Sequence, residues 1–410
     1  MTVAVTAEPE AVGVSSKHLE YLDAHVQRYI DDGKLPGGLV LVARKGEVIH
    51  LSALGMADCE RGVPTATDTI YRIYSMSKPL TSIALMQLFE RGLVQLDDPV
   101  HRYIPAWKNL RVLVSGEHPD FVTEPLARHM TVRDLLSHQS GLSYGFPTGM
   151  PIDEAYRRAG IGARDTTLAE MAAKLADLPL AFQPGTRWNY SFSTDMCGHL
   201  VELISGQRFD EYLDEHIIGP LGMVDTSFSV TAEKVSRFAA CYGPSRTRGI
   251  RLVDDPTTST YLQHPAFLSG GGGLTSTATD YWRFTQALAN GGELDGVRII
   301  GPKTLKLMAS NHLANGADLA ASALTSQWTE TGYGGTGFGL GFSVTLDIAQ
   351  AQVSGTPGEF AWGGAASTAF WVDQAEELVF VFMTQLMPST TYNIRREFRA
   401  IVYGALTAQS

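Results

Sequence analysis

The chain has 410 residues, 44% of them apolar and 18% charged, with a net charge of −11 and an isoelectric point near 5.5. That length and apolar content suffice for two or three domains with real cores. The acidic balance, without any block of like charges, argues against a nucleic-acid or anionic-membrane partner.

Three cysteines, Cys59, Cys197 and Cys241, are odd in number and widely spaced, which fits neither a disulfide framework nor a zinc site. The histidines show no tight ligand spacing, so neither a metal nor a cofactor is expected. The N-terminus has no basic start followed by a long apolar run, and no segment reaches membrane-spanning length. A cytoplasmic location with no membrane partner is the expectation.

In chain order, Leu19, Leu22, Val26, Tyr29 and Ile30 recur on one side of an amphipathic helix that ends near Gly33. Two strands at 39–43 and 47–51, joined around Lys45-Gly46, predict a hairpin. Leu80, Ile83, Ala84 and Leu88 are spaced for one face of a helix, and Pro79 is acceptable in its first turn. From about 125 to 310, helix starts such as Thr131-Val-Arg-Asp134, Thr167-Leu-Ala-Glu170 and Thr277-Ala-Thr-Asp280 dominate, and strand signals are scarce. Strands return at 342–346, 369–373 and 378–384, before a terminal helix over about 391–406. Short turns between these strands favour antiparallel pairing. The pattern predicts an α+β fold: an antiparallel sheet built from both chain ends, flanked by terminal helices, with a mostly helical domain inserted. The expected division is 1–105 with 325–410 against 106–324, with a ligand site at the junction.

The quartet Ser75-Met76-Ser77-Lys78 opens the helix after the first sheet segment. Residues three apart are neighbours on a helix surface, so the Ser75 hydroxyl and the Lys78 amine can share one cavity. The helix N-terminus offers N–H groups to an oxyanion forming at Ser75. Burial there would lower the lysine pKa until it can accept a proton. Lys78 alone among the lysines has a serine three positions before it. The bland alternative is a capping serine beside a solvated lysine.

A nucleophile of this kind needs a second proton carrier and an oxyanion donor. Tyr190, after the Pro184-Gly185 turn, supplies an aromatic hydroxyl, although alone it would read as a structural tyrosine. Ala361-Trp-Gly-Gly-Ala-Ala366, just before the strand at 369, supplies small residues that permit close backbone approach.

With these motifs the chain resembles the serine hydrolases of the class C β-lactamase, D-alanyl-D-alanine carboxypeptidase and family VIII carboxylesterase group. Ser75 and Lys78 match its Ser-x-x-Lys motif, Tyr190 its tyrosine motif, and Trp362-Gly363-Gly364 its third element. Leu135-Leu-Ser-His-Gln-Ser-Gly-Leu142, Pro220-Leu-Gly-Met-Val-Asp-Thr226 and Gly270-Gly-Gly-Gly-Leu-Thr-Ser-Thr-Ala-Thr-Asp280 extend the likeness in the family's order. The resemblance implies a β-lactamase-like fold and an acyl-enzyme on Ser75, formed with a Lys78/Tyr190 proton-transfer pair. The backbone N–H groups of Ser75 and Ala365 would make the oxyanion hole. Trp362 stands where a lysine would bind a substrate carboxylate, and Phe192 where those lactamases have an asparagine. Both departures resemble family VIII esterases and favour a small, neutral, short-chain ester bound against Trp362, Gly363, Gly364 and Phe192. The alternatives are β-lactamase, D-aminoacyl peptidase or acyltransferase activity on the same site, or a catalytically silent binding protein.

Gly141-Leu-Ser-Tyr-Gly145 fits the Gly-x-Ser-x-Gly elbow of another hydrolase class, with Ser143 at its centre. An elbow needs a strand before it and a helix after it; here a helix precedes and Phe146-Pro147 follows, so Ser143 reads as a turn serine. His138 and His199 read as structural, Asp195 as support for the helix start after Tyr190, and Trp188 is open. The Gly270-Gly-Gly-Gly273 run lacks the lysine of a phosphate loop and reads as a closely packed turn. Oligomeric state does not follow from the sequence.

Overall fold

The computed structural model describes residues 3–146, 149–247, 249–324 and 334–407. Both chain ends build one antiparallel sheet of eight strands. Its order is Thr336–Phe338, Ser343–Thr345, Phe360–Gly363, Ala369–Asp373, Leu378–Met383, Gly37–Arg44, Glu47–Asp58 and Val63–Pro64. The two termini meet at its centre, where Leu39 lies opposite Met383 and Arg44 opposite Leu378. Lys45 and Gly46 both have positive φ, the geometry that lets a two-residue turn follow the strand twist.

The two central strands are buried along their whole length, so they read as continuous apolar runs while their side chains still alternate between faces. Val40, Val42, Phe380 and Phe382 face the terminal helices Ser16–Asp31 and Ile394–Gly404. Leu39, Leu41, Val379 and Val381 face the larger core, which holds helices Ser77–Glu90, Ser193–Ser205 and Ala278–Ala289. The predicted capping boxes are present at Thr131 with Asp134 and at Thr167 with Glu170, and Thr277 accepts from the Asp280 N–H.

Two expectations change. Helix Ser77–Glu90 is not buried on one face: every residue from Ser77 to Met86 is buried, because it lies inside the larger core, packed along helix Ser193–Ser205. Among the described residues the middle of the chain also carries three hairpins, Arg111–Ser115 with Val122–Pro125, Cys241–Ser245 with Gly249–Asp254, and Glu293–Leu294 with Val297–Arg298. Their strands are short and partly exposed, so they carry little apolar alternation to read.

Three residues before Ser75, the fully buried Arg72 ties the sheet side to the middle segment. It donates to Asp254 at 2.7 Å, the Ala239 carbonyl at 2.7 Å and Ser259 Oγ at 3.1 Å, with its guanidinium 3.9 Å from the Phe238 ring centre. Among the described residues no helix is long and apolar enough to cross a membrane, and no group of His, Cys, Asp and Glu could hold a metal.

The terminal helix is held by packing rather than capping: Phe398 is fully buried, its ring 4.6 Å from Phe382 and 5.3 Å from Phe380. Phe398→Ala should cost about 3–5 kcal/mol of stability, read as a lower urea midpoint at unchanged slope.

Candidate active site

Ser75 lies in a single 3₁₀ turn, Tyr74–Met76, that runs directly into helix Ser77–Glu90. The preceding Tyr74 has φ of +42°, a left-handed conformation that a non-glycine residue keeps only where its surroundings hold it. One turn on, Lys78 Nζ is 3.2 Å from Ser75 Oγ and donates to the Gly271 carbonyl at 2.6 Å. The lysine is wholly buried, 4.3 Å from the ring centre of Tyr190 and 5.3 Å from that of Tyr144. Burial pulls its pKa down to about 7, against the opposing charge of Asp195.

Tyr190 is buried, and it lines the same cavity as Ser75. Trp362 Nε1 donates to Tyr190 Oη at 3.0 Å, and the Trp188 ring stacks on Tyr190 at 5.9 Å. Burial pushes the phenol pKa above its ordinary value; the hydrogen bonds from Ser75 and Trp362 work against that push. Lys78 and Tyr190 are therefore driven in opposite directions by the same apolar surroundings. A resting phenolate is disfavoured.

Strand Phe360–Gly363 brings Trp362 and Gly363 to the site by pairing with Ala369–Asp373. A Cβ on Gly364 would sit 2.4 Å from the Ile73 carbonyl and 2.3 Å from Thr368 Oγ1; one on Gly363 would sit 2.5 Å from the Arg395 guanidinium carbon. These glycines let the strand end press against the segment that carries Ser75. The Gly364 N–H is taken by Thr368, at 2.9 Å to its carbonyl and 3.1 Å to its hydroxyl.

Ser75, Tyr190, Trp362, Gly363, Gly364 and Ala365 all line one cavity of about 560 Å³. Phe192 does not: it packs behind Tyr144, ring centres 4.7 Å apart, and it is Tyr144 that reaches the cavity. Nor is the cavity free of cations, as the loss of a lysine at Trp362 had suggested. Arg395, Arg396 and Arg399 on the terminal helix also line it, and Arg395 donates to the Gly364 and Thr368 carbonyls at 2.6 and 2.9 Å. Their contribution follows from the sheet bringing the chain ends together, and no local motif announced it.

Ser143 is buried away from this cavity, donates to Asp153 Oδ1 at 2.6 Å, and has no strand before it. His138 is buried between Ser191 Oγ and Thr194 Oγ1, each at 3.3 Å; burial, and then the charge of Lys78, hold it neutral. His199 pairs with Glu202 on its own helix at 3.2 Å. The Gly270–Gly273 run is a tight turn, since a Cβ on Gly270 would meet the Thr194 carbonyl at 2.9 Å and one on Gly271 would meet Asp195 at 2.5 Å.

Residues 22–404 match the family model described as Beta-lactamase. Protein Rv1367c of Mycobacterium tuberculosis is 35% identical over 375 residues, covering 90% of this chain and 91% of that protein. Esterase EstB of Burkholderia gladioli is 32% identical over 399 residues, covering 93% and 94%. Among solved structures, one described as EstCE1, a hydrolase with promiscuous acyltransferase activity, has a TM-score of 0.77 at 27% identity and covers 94% of this chain and 98% of its own. With a family match over nearly the whole chain and relatives above 30% identity along most of it, the chain belongs to the β-lactamase family.

Proposed function

We propose that this protein is a carboxylesterase that cleaves small, short-chain esters through an acyl-enzyme on Ser75. The observation that carries this reading is the fully buried Lys78, 3.2 Å from Ser75 Oγ and with its pKa near 7. A lysine with an available lone pair at neutral pH can take the serine proton as the hydroxyl oxygen attacks. Tyr190, kept as a phenol, passes that proton between Lys78 and the leaving alkoxide. The oxyanion is received by the backbone N–H groups of Ser75 and Ala365, the Gly364 N–H being already engaged. After the alcohol departs, water attacks the acyl carbon and gives its proton to the same pair, which returns it to Ser75 and frees the acid.

The base assignment has a pH signature. Below its pKa the Lys78 ammonium has no lone pair for the Ser75 proton, and above it the free amine does, so kcat/KM should rise with pH and level off above about 7. Lys78→Ala should lower kcat/KM by about 1,000-fold or more, and Lys78→Arg should not restore it, because a guanidinium does not release its proton.

The nucleophile assignment separates the two serines. Ser75→Ala should abolish ester hydrolysis and labelling by a fluorophosphonate. Ser143→Ala should keep most of the activity while losing about 1–3 kcal/mol of stability, because the buried Asp153 carboxylate loses a donor.

Substrate class rests on Trp362, whose indole N–H is spent on Tyr190 and whose ring presents an apolar wall where a cation would hold a lactam's carboxylate. The esterase relative EstB and the hydrolase EstCE1 support the same side. On one preparation, kcat/KM for a short-chain p-nitrophenyl ester should exceed that for a chromogenic cephalosporin by roughly 100-fold or more. A ratio near or below one would put lactam or peptide hydrolysis first.

Acyl transfer is a second reading, favoured by EstCE1's described side activity and by the aromatic wall of Tyr144, Phe146, Tyr190 and Trp362, which suits an alcohol acceptor as well as water. Added alcohol giving a transesterified product would establish it.

A further inference from the structure

Asp195, five residues beyond Tyr190, is wholly buried in the first turn of helix Ser193–Ser205, as expected of a residue supporting the helix start, and it also makes contacts beyond that helix. Its Oδ1 accepts from Ser269 Oγ at 2.5 Å and from the Gly271 N–H at 3.1 Å. The carbonyl of that same Gly271 receives the Lys78 ammonium at 2.6 Å. Its Oδ2 has no hydrogen-bond donor among the described residues, although it is enclosed. That oxygen lies in the wall shared with Gly271 and Tyr144: a Cβ added to Gly271 would fall 2.5 Å from Asp195 Oδ2 and 2.9 Å from Tyr144 Oη.

An enclosed carboxylate oxygen without a donor is costly unless a nearby cation balances it. We propose that Asp195 is a positioning residue for Lys78, clamping the Ser269–Gly271 turn whose carbonyl holds the lysine and supplying the counter-charge its buried ammonium needs. The inference rests on the reading of Lys78 as the base.

The groups facing Lys78 support this. From the segment before helix Ser193–Ser205 comes Tyr190, and from 138–144 come His138 and Tyr144; burial keeps both phenols protonated and the imidazole neutral. Arg395 on the terminal helix acts on Tyr190, and Cys197 on Asp195's own helix is held as a thiol by burial. Asp195 is the carboxylate among these groups; burial raises its pKa above the ordinary value, and the Ser269 hydroxyl, the charge of Lys78 and the N–H groups of Gly271 and Asp195 itself oppose that rise. When Lys78 takes the Ser75 proton, the new ammonium forms beside a charge already in place, and the proton then leaves with the alcohol.

The test is the pH profile of kcat/KM for p-nitrophenyl acetate, measured on the full chain and on three variants. D195N keeps an oxygen acceptor for Ser269 and Gly271 but removes the charge; its acid limb should move to lower pH by roughly one unit with the plateau largely kept. D195A removes charge and clamp, so the limb should move down and the plateau fall roughly 10-fold or more. S269A keeps the charge and loosens the clamp, so the plateau should fall with the limb in place. A D195N limb at the wild-type position, or a D195A plateau equal to wild type, overturns the proposal. If neither Asp195 variant folds, S269A decides: a wild-type plateau overturns the clamp. A wild-type profile with no acid limb removes Lys78 as the base, and a failure of that kind is separate from an unmoved limb in D195N.

Discussion

The structure depends on burying one ammonium. Enclosing a lysine in an apolar interior costs several kcal/mol unless other groups repay it. Here the repayment comes from separate parts of the chain: the Gly271 carbonyl, the faces of Tyr190 and Tyr144, and the carboxylate of Asp195. None of these residues is near Lys78 in sequence. The site therefore exists only once helix Ser77–Glu90 is enclosed in the larger core beside helix Ser193–Ser205, which explains why that helix lacks the polar face most helices show.

The same enclosure sets what the sheet must do. Its strand Phe360–Gly363 has to end within contact of the backbone before Ser75, and a side chain at Gly364 would strike the Ile73 carbonyl. Packing at this distance leaves no space for a side chain, so glycine is dictated by contact rather than by a turn. Tyr74 pays a conformational cost on the other side of the contact, holding positive φ so that the chain enters the nucleophile turn at the required angle. Arg72, clamped to Asp254 and Ala239, fixes the approach of this segment from below.

Much of this was legible in the sequence, and the reasons differ by feature. The central strands were readable because burial on both faces makes them continuous apolar runs, and the helix starts because Thr131 and Thr167 carry their capping partners three residues on. Ser75, Lys78, Tyr190 and the 361–366 stretch could be gathered because each sits in a short motif, and all of them come together in the structure around one cavity or, for Lys78, just behind it. What stayed hidden was relational. Phe192 looked like a wall because it lies two residues from Tyr190, yet Tyr144 stands between it and the cavity. Arg395, Arg396 and Arg399 were invisible as cavity residues because only the pairing of the two chain ends brings the terminal helix to that wall. The hairpin at Cys241–Ser245 and Gly249–Asp254 escaped notice because half-exposed strands need no strong apolar period.

Lys78 and Tyr190 share one apolar enclosure, and burial acts on them with opposite sign because it disfavours charge in each: the ammonium loses its proton more readily, the phenol less. An enclosure of this kind needs no separate device to make one group an acceptor and keep the other a donor at neutral pH. It also fixes where charge is tolerated. The Trp362 N–H meets the phenol oxygen, so any negative charge developing there during proton transfer is received by a donor already oriented. The positive charge developing on Lys78 meets instead the carbonyl of Gly271, whose N–H is held by Asp195. Giving the two charges separate partners, the Trp362 N–H for one and the Gly271 carbonyl for the other, is what lets one site carry a proton both toward and away from the nucleophile.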